Sequence, residues 1–231
     1  MRVRQTRSVR LRRFARHNGL SLTCFALFFF FLLGHSLAGH RTFNAEQEVH
    51  GEAKVGYGGY LTDGHFFESV FENWESEFLQ MGGFIVLTVF LVQKGSAESK
   101  KPDERNDVDE DPRSQAERGD APWPVRRGGP WLRLYENSLL VAFALLFLGS
   151  ILGHAFGGVS EYNSERQAHG EPAVSVAEYV RSSQFWFESF QNWQSEFLAV
   201  GSIVLLTVFL RQRGSPESKP VAAPHAETPA S

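Results

Sequence analysis

Four apolar runs set in polar sequence organise this chain of 231 residues. Leu20–Gly39 is a run of about 20 residues whose only ionisable side chains are Cys24 and His35, long enough as a helix to cross a hydrocarbon core of about 30 Å. Ser138–Gly157 is a run of the same kind. Phe78–Gln93 and Phe197–Leu210 hold only 16 and 14 residues before the next basic side chain, at most about 24 Å of helix. Both helices therefore have to begin upstream, which brings Glu77 and Glu196 to the outer membrane boundary. Tyr60, Phe67, Phe71, Trp74 and Phe78 keep roughly helical spacing. This predicts an amphipathic segment that lies along the surface and turns into the span, with Trp74 and Trp193 as interfacial anchors.

The second half of the chain repeats the first. Asn73-Trp74-Glu75-Ser76-Glu77-Phe78-Leu79 returns as Asn192-Trp193-Gln194-Ser195-Glu196-Phe197-Leu198, an offset of 119 residues (192 − 73 = 119). The same offset joins Gly34-His35 to Gly153-His154, His50-Gly51-Glu52 to His169-Gly170-Glu171, and Gly95–Lys100 to Gly214–Lys219. Roughly 35 of about 84 aligned positions are identical without a gap, so the chain reads as a tandem repeat. Shared hydrophobicity alone would not preserve Asn, Trp, His and Glu. The repeat also decides between a membrane span and a cleaved leader. Arg-rich Met1–Arg16, an apolar run and Ser36-Leu37-Ala38 resemble a secretory signal, but the matching Ser138–Gly157 lies mid-chain. Leu20–Gly39 is read as a retained span.

Charge gives the orientation. Seven Lys or Arg precede the first span, nine lie in Lys94–Arg133 and three follow the fourth, against four in the loops that join paired spans (Arg41, Lys54, Arg166 and Arg181). An excess of basic residues marks the cytoplasmic side, so both termini and the central segment are expected there, in the inner membrane. Lys101–Arg127 and Pro216–Ser231 are charged or Pro/Ala-rich and nearly free of large apolar residues; both are expected to be solvated tethers. The organisation is then a basic start at 1–17, a first two-helix repeat at 18–100, a linker at 101–130, a second repeat at 131–219 and a tail at 220–231. The fold class is all-α: an integral membrane four-helix bundle with short amphipathic helices outside. The single cysteine, Cys24, excludes an intramolecular disulfide and a thiolate metal cluster. A net charge of −3 is not the basic balance that nucleic acid would call for, and the 21 phenylalanines suit a lipid-facing surface.

His35 and His154 are the residues with most chemical promise, because an ionisable group at membrane depth needs a partner. Each stands about 15 residues above the inner end of its span, level with Glu77 and Glu196. The expected pairs are His35 with Glu77 and His154 with Glu196, as helix fasteners or as a proton- or ion-handling site. Two such histidines facing one another could instead ligate a haem. Gly34, Gly39, Gly149, Gly153 and Gly157 are candidates for close helix contact. In the outer loops, Glu46 and His50 with Glu52, and Glu165 and His169 with Glu171, could hold a divalent ion. The simpler reading is a helix end capped by Gly51 or Gly170 in the left-handed conformation, with the histidine near the negative pole. Asn73 and Asn192 are read as caps or bends. No catalytic residue, resident metal or cofactor is predicted. There is no phosphate-cradling loop, nucleophile elbow, CxxC or HExxH.

At its Asn-Trp-x-Ser-Glu-Phe-Leu, His-Gly-Glu and Gly-Ser-x-Glu-Ser-Lys segments the chain resembles an uncharacterised family of bacterial integral membrane proteins, known only as a domain of unknown function. The resemblance implies a membrane location and supplies no activity or substrate. The expected function is that of a non-enzymatic structural or interaction protein of the cell envelope. The alternatives are a small transporter or channel, and a haem- or metal-bearing redox subunit. Expected partners are the bilayer and a second copy or another membrane protein. Reporter fusions at the central linker and at the C-terminus should both report cytoplasm; a periplasmic signal from either would overturn the topology.

Overall fold

The computed structural model describes residues 2–104 and 106–229, with side chains from residue 9 onward. Met1, Arg105, Ala230 and Ser231 lie outside the described residues, so the extreme ends of the basic start and the tail, and one linker position, fall there. The described chain is all-helical, with about 70% helix and no strand among the described residues. Nine helices run in the order α1 (Arg2–His17), α2 (Gly19–His50), α3 (Tyr57–Tyr60), α4 (Gly64–Phe90), α5 (Trp123–Arg127), α6 (Gly129–Glu136), α7 (Ser138–Ala168), α8 (Val176–Tyr179) and α9 (Ser183–Phe209). Two further 3-10 turns lie in the linker, at Asp107–Asp109 and Pro112–Gln115. The bounds of α3 and α4 recur in α8 and α9 at the 119-residue offset read from the sequence (176 − 57 and 209 − 90).

Three helices are long and apolar enough to cross a membrane: α2 with 32 residues, α7 with 31 and α9 with 27. Their outward side chains are large and apolar, including Phe29, Phe30 and Phe31 on α2, Leu145, Leu148 and Phe156 on α7, and Leu198 and Leu205 on α9. Apolar surface on that scale needs a non-aqueous neighbour. The 27 residues of α4 equal the length of α9, but Asn73, Glu75, Glu77 and Gln80 make it more polar. The expected surface segment that turns into the second span does not form as a separate element. Gly64 to Phe90 is one continuous helix, without the proline or inserted side chain that would kink it. Asn73 and Asn192 are therefore interior residues rather than caps; their amides bond back to Ser69 O and Glu188 O, four residues earlier.

The first unit, Met1–Phe66, folds the loop after α2 back onto that helix. Gly51 ends α2 at φ 76, the left-handed cap expected from the sequence. The chain then returns to Asn44, whose carboxamide accepts from Val55 N (2.7 Å) and donates to Val55 O (2.9 Å). Ser36 Oγ and Tyr57 Oη share a hydrogen bond of 2.8 Å. Fully buried Tyr60 sits among His40, Phe43 and His65. Its phenol occupies the space a side chain at Gly39 would need.

The second unit, Phe67–Ser231, builds the same clasp. Asn163 accepts from Val174 N (2.7 Å) and donates to Val174 O (2.9 Å). Gly170 adopts φ 75, and His169 Nδ1 lies 2.9 Å from Glu165 O, so the histidine serves the helix end. A capping box of Ser175 and Glu178 starts α8, which delivers Tyr179 to a core with Ala155 and Phe185. Of the glycines expected at helix contacts, Gly153 is pressed by the Phe71 ring of α4 and Gly157 is buried. A side chain begun at Gly34 or Gly149 would meet no other atom within 4 Å; an interval of four sets the face but not what faces it.

The segments expected to be solvated tethers hold local structure. In the linker, Asp111 caps the second 3-10 turn and Arg118 pairs with Asp120. At the tail, Lys219 is only 2% exposed because its ammonium donates to the carbonyls of Pro224, His225 and Glu227. Thr228 Oγ1 accepts from Gly95 N (2.7 Å). One buried cation thus gathers the carbonyls of a Pro/Ala-rich tail that could not fold by apolar burial.

Asn163→Ala removes both bonds to Val174 and strands two backbone groups, so it should lower stability by about 1–3 kcal/mol. Thermal unfolding in detergent measures this; an unchanged midpoint would mean that the clasp is not what holds the loop.

Candidate functional site: a buried histidine among carboxylates

Glu68, Glu72 and Glu75 are spaced i, i+4, i+7 on α4. At 100° per residue they fall within about 60° of one another, on one stripe of the helix. That stripe meets His154 of α7 together with Glu188, Ser189, Asn192 and Trp193 of α9. His154 and Glu75 are fully buried. His154 Nδ1 lies 3.1 Å from Glu75 Oε2, and Nε2 lies 3.3 Å from Glu188 Oε2. The ring stacks on Phe185 at 4.7 Å. Glu75 Oε1 accepts from Ser189 Oγ (2.8 Å) and Trp193 Nε1 (3.2 Å). Glu188 Oε1 accepts from Gln184 Nε2 (2.6 Å), and its Oε2 from Tyr179 Oη (2.7 Å). Tyr179 Oη is also 3.3 Å from Glu68 Oε1, and Glu72 accepts from the Asn192 amide.

The result is a continuous chain of polar contacts, Glu68–Tyr179–Glu188–His154–Glu75. Burial raises the pKa of the Tyr179 phenol, and the neighbouring Glu188 and Glu68 carboxylates add to the effect. The phenol therefore stays protonated and acts as a donor. A neutral imidazole has one N–H and one bare nitrogen. Here both nitrogens face carboxyl oxygens, so either the ring carries two protons or one acid keeps its own. Either way His154, Glu75 and Glu188 together hold one proton more than a neutral ring with two carboxylates. Among the described residues no lysine or arginine is bonded to Glu68, Glu72, Glu75 or Glu188. Four acids share one imidazole, and a centre of that composition attracts cations. Glu68, His154 and Glu188 each place a ligand atom within 4.8 Å of the other two, so these three could hold a metal. Ser189 bonds the carboxylate rather than the imidazole, the wrong order for activating a serine nucleophile.

The family model described as Domain of unknown function (DUF6766) matches residues 11–230. The chain belongs to that family. Comparison with curated proteins and with solved structures found no match. Chemical meaning in this DUF6766 protein therefore has to come from the centre itself.

Of the residues singled out by sequence, His154 lies at the heart of the site. Its partners are Glu75 and Glu188 instead of Glu196, the acid expected at its depth. Glu196 lies eight residues beyond Glu188, about 12 Å further along α9, within electrostatic reach of Glu77. Glu77 itself is exposed, because two residues turn it about 200° from Glu75, onto the opposite face of α4. Depth alone misplaces the partner: Glu196 is two turns too far along α9, and Glu77 is near the level of Glu75 but on the other face. Trp193 points its indole N–H at Glu75; Trp74 packs edge-on to Phe71 at 5.4 Å. In the first unit, His35 lies 6.0 Å from Phe66. Glu46, His50 and Glu52 stand at the end of α2, while Glu171 pairs with Arg166 at 2.8 Å. Sequence reading missed Glu68, Glu72, Glu75, Glu188 and Tyr179. The i, i+4, i+7 acids of α4 were the available signal.

Glu75→Ala strips His154, Ser189 and Trp193 of a fully buried partner and should cost about 3–5 kcal/mol. Glu77→Ala, on the exposed face, should change stability by no more than about 0.5 kcal/mol. Denaturation of the two variants in the same detergent checks the assignment of faces, which equal losses would refute.

Proposed function

We propose that this DUF6766 protein is a non-enzymatic multi-pass protein of the inner membrane. It is a four-helix bundle of two tandem hairpins with both termini in the cytoplasm, and it binds a cation from the outer side at the His154 centre. In the simplest case the cation is a proton. The observation that carries the reading is the fully buried imidazole with a carboxylate on each ring nitrogen. A single acid would be enough to fasten α7 to a neighbour; four acids around one base give a site whose charge depends on what it binds. The ordering of Ser189 and the lack of a nucleophile at His154 Nε2 favour binding over hydrolysis.

The transporter reading needs a polar way from the centre to the cytoplasm. On that side, α4, α7 and α9 surround a pocket of about 420 Å³ whose lining includes Phe78, Leu79, Phe143, Phe147 and Phe197. So apolar a floor supports a site that opens and closes from one side. A haem axial role for His154 finds little support, with Phe185 stacked on the ring and both nitrogens engaged. The bilayer is the first partner, and the exposed apolar faces leave room for a second copy.

Carbodiimides modify carboxyls that carry a proton. In right-side-out vesicles a carbodiimide should label Glu68, mapped by mass spectrometry, with labelling falling as pH rises from 6 to 9. Absence of label at this residue, or label indifferent to pH across that range, would refute the reading.

A further inference from the structure

The same centre has the parts of a metal site, an inference that rests on the cation-binding reading above and narrows it. We infer that Glu68, His154 and Glu188 coordinate a divalent first-row metal ion, with Glu75 as the positioning residue for the histidine. Each ligand comes from a different helix: Glu68 from α4, His154 from α7 and Glu188 from α9. A bound ion would tie the three together.

Two independent features support a ligand rather than a mere acidic patch. The first is spacing. His154 Nε2 and Glu188 Oε2 are 3.3 Å apart, which matches the edge of a tetrahedron with metal–ligand bonds of about 2.0–2.1 Å. Glu68 completes the trio within 4.8 Å. The second feature is the support behind each ligand. Metal-binding histidines typically donate their other N–H to a carboxylate, which fixes the tautomer and aims the free nitrogen. Glu75 does this for Nδ1 and is itself held by Ser189 and Trp193. Gln184 holds the far oxygen of Glu188, leaving Oε2 directed inward. Tyr179 Oη donates to both glutamates and holds them side by side.

The donor set of one imidazole and two carboxylates, without sulfur, suits Zn²⁺, Mn²⁺ or Fe²⁺ and disfavours Cu⁺. The only cysteine, Cys24, is exposed on α2. Charge balance is direct. The ion brings two positive charges, and the proton shared by His154 and its acids leaves to the outer solution, so binding releases about one proton and weakens as pH falls. The other acids facing the centre, Glu72 and Glu161, stay uncoordinated and add to the attraction.

The test is titration of Zn²⁺ into the tag-free full-length protein in detergent at pH 7.5, followed by calorimetry in two buffers of different ionisation heat. One tight site and release of about one proton per zinc are expected. Glu188→Gln and His154→Ala should abolish that site. Glu75→Gln should weaken it by roughly 10- to 100-fold. Glu68→Gln keeps the contact to Tyr179 and so preserves the fold, and it should weaken zinc by at least about tenfold. His169→Ala and Glu77→Gln, away from the centre, should leave the site unchanged. Zinc binding that survives Glu68→Gln and Glu188→Gln, or falls equally with His169→Ala, would overturn the inference. So would no binding at all. The carbodiimide experiment separates the two ideas: pH-dependent labelling without zinc binding leaves the proton site standing and removes the metal.

Discussion

A carboxylate shut away from water between helices persists only where a cation or several donors reach it, and in this chain His154 is the group that does so. Glu75 and His154 are fully buried, and each would be costly to bury alone. Together, with Ser189 and Trp193 on the other carboxylate oxygen, they form a set in which every polar atom has a use. Because the three helices that meet there supply different members, the packing of α4, α7 and α9 and the satisfaction of these charges are one problem. Helices in lipid gain little from hydrophobic association, so a polar junction of this kind carries much of what sets their register.

The loop between α7 and α9 serves that junction. Asn163 fastens the returning strand of chain to α7, and the α8 turn that follows lowers Tyr179 onto Gly158, where any side chain would collide with the phenol. Tyr179 then reaches Glu188 and Glu68. The first unit has the same clasp at Asn44 and the same tyrosine–glycine fit at Tyr60 and Gly39, yet the position 119 beyond Glu75 is Gln194. The two units share the clasp and the tyrosine–glycine fit but differ at this acid.

That difference explains what the sequence could and could not disclose. Long apolar helices depend only on composition and length, so α2, α7 and α9 are legible, as is the left-handed cap at Gly51. His154 is legible as an ionisable group at membrane depth. Its partners are not, because identity between repeats draws the eye to Glu77 and Glu196, and Glu75 drops out for want of a matching acid. Which side of a helix meets a neighbour depends on rotation about its axis, a tertiary property that a two-residue choice between Glu75 and Glu77 reverses. The folded tail is likewise hidden, since it hangs on one ammonium, Lys219, finding three carbonyls instead of on any apolar pattern.

The claim beneath all of this is that one imidazole is joined at both nitrogens to acids within the protein. Nitrogen-15 NMR of the histidine ring, assigned to residue 154 by comparison with the His154→Ala spectrum, examines it most directly. In the metal-free protein both ring nitrogens should appear as protonated or strongly hydrogen-bonded. A spectrum in which one nitrogen of His154 is bare would contradict the account.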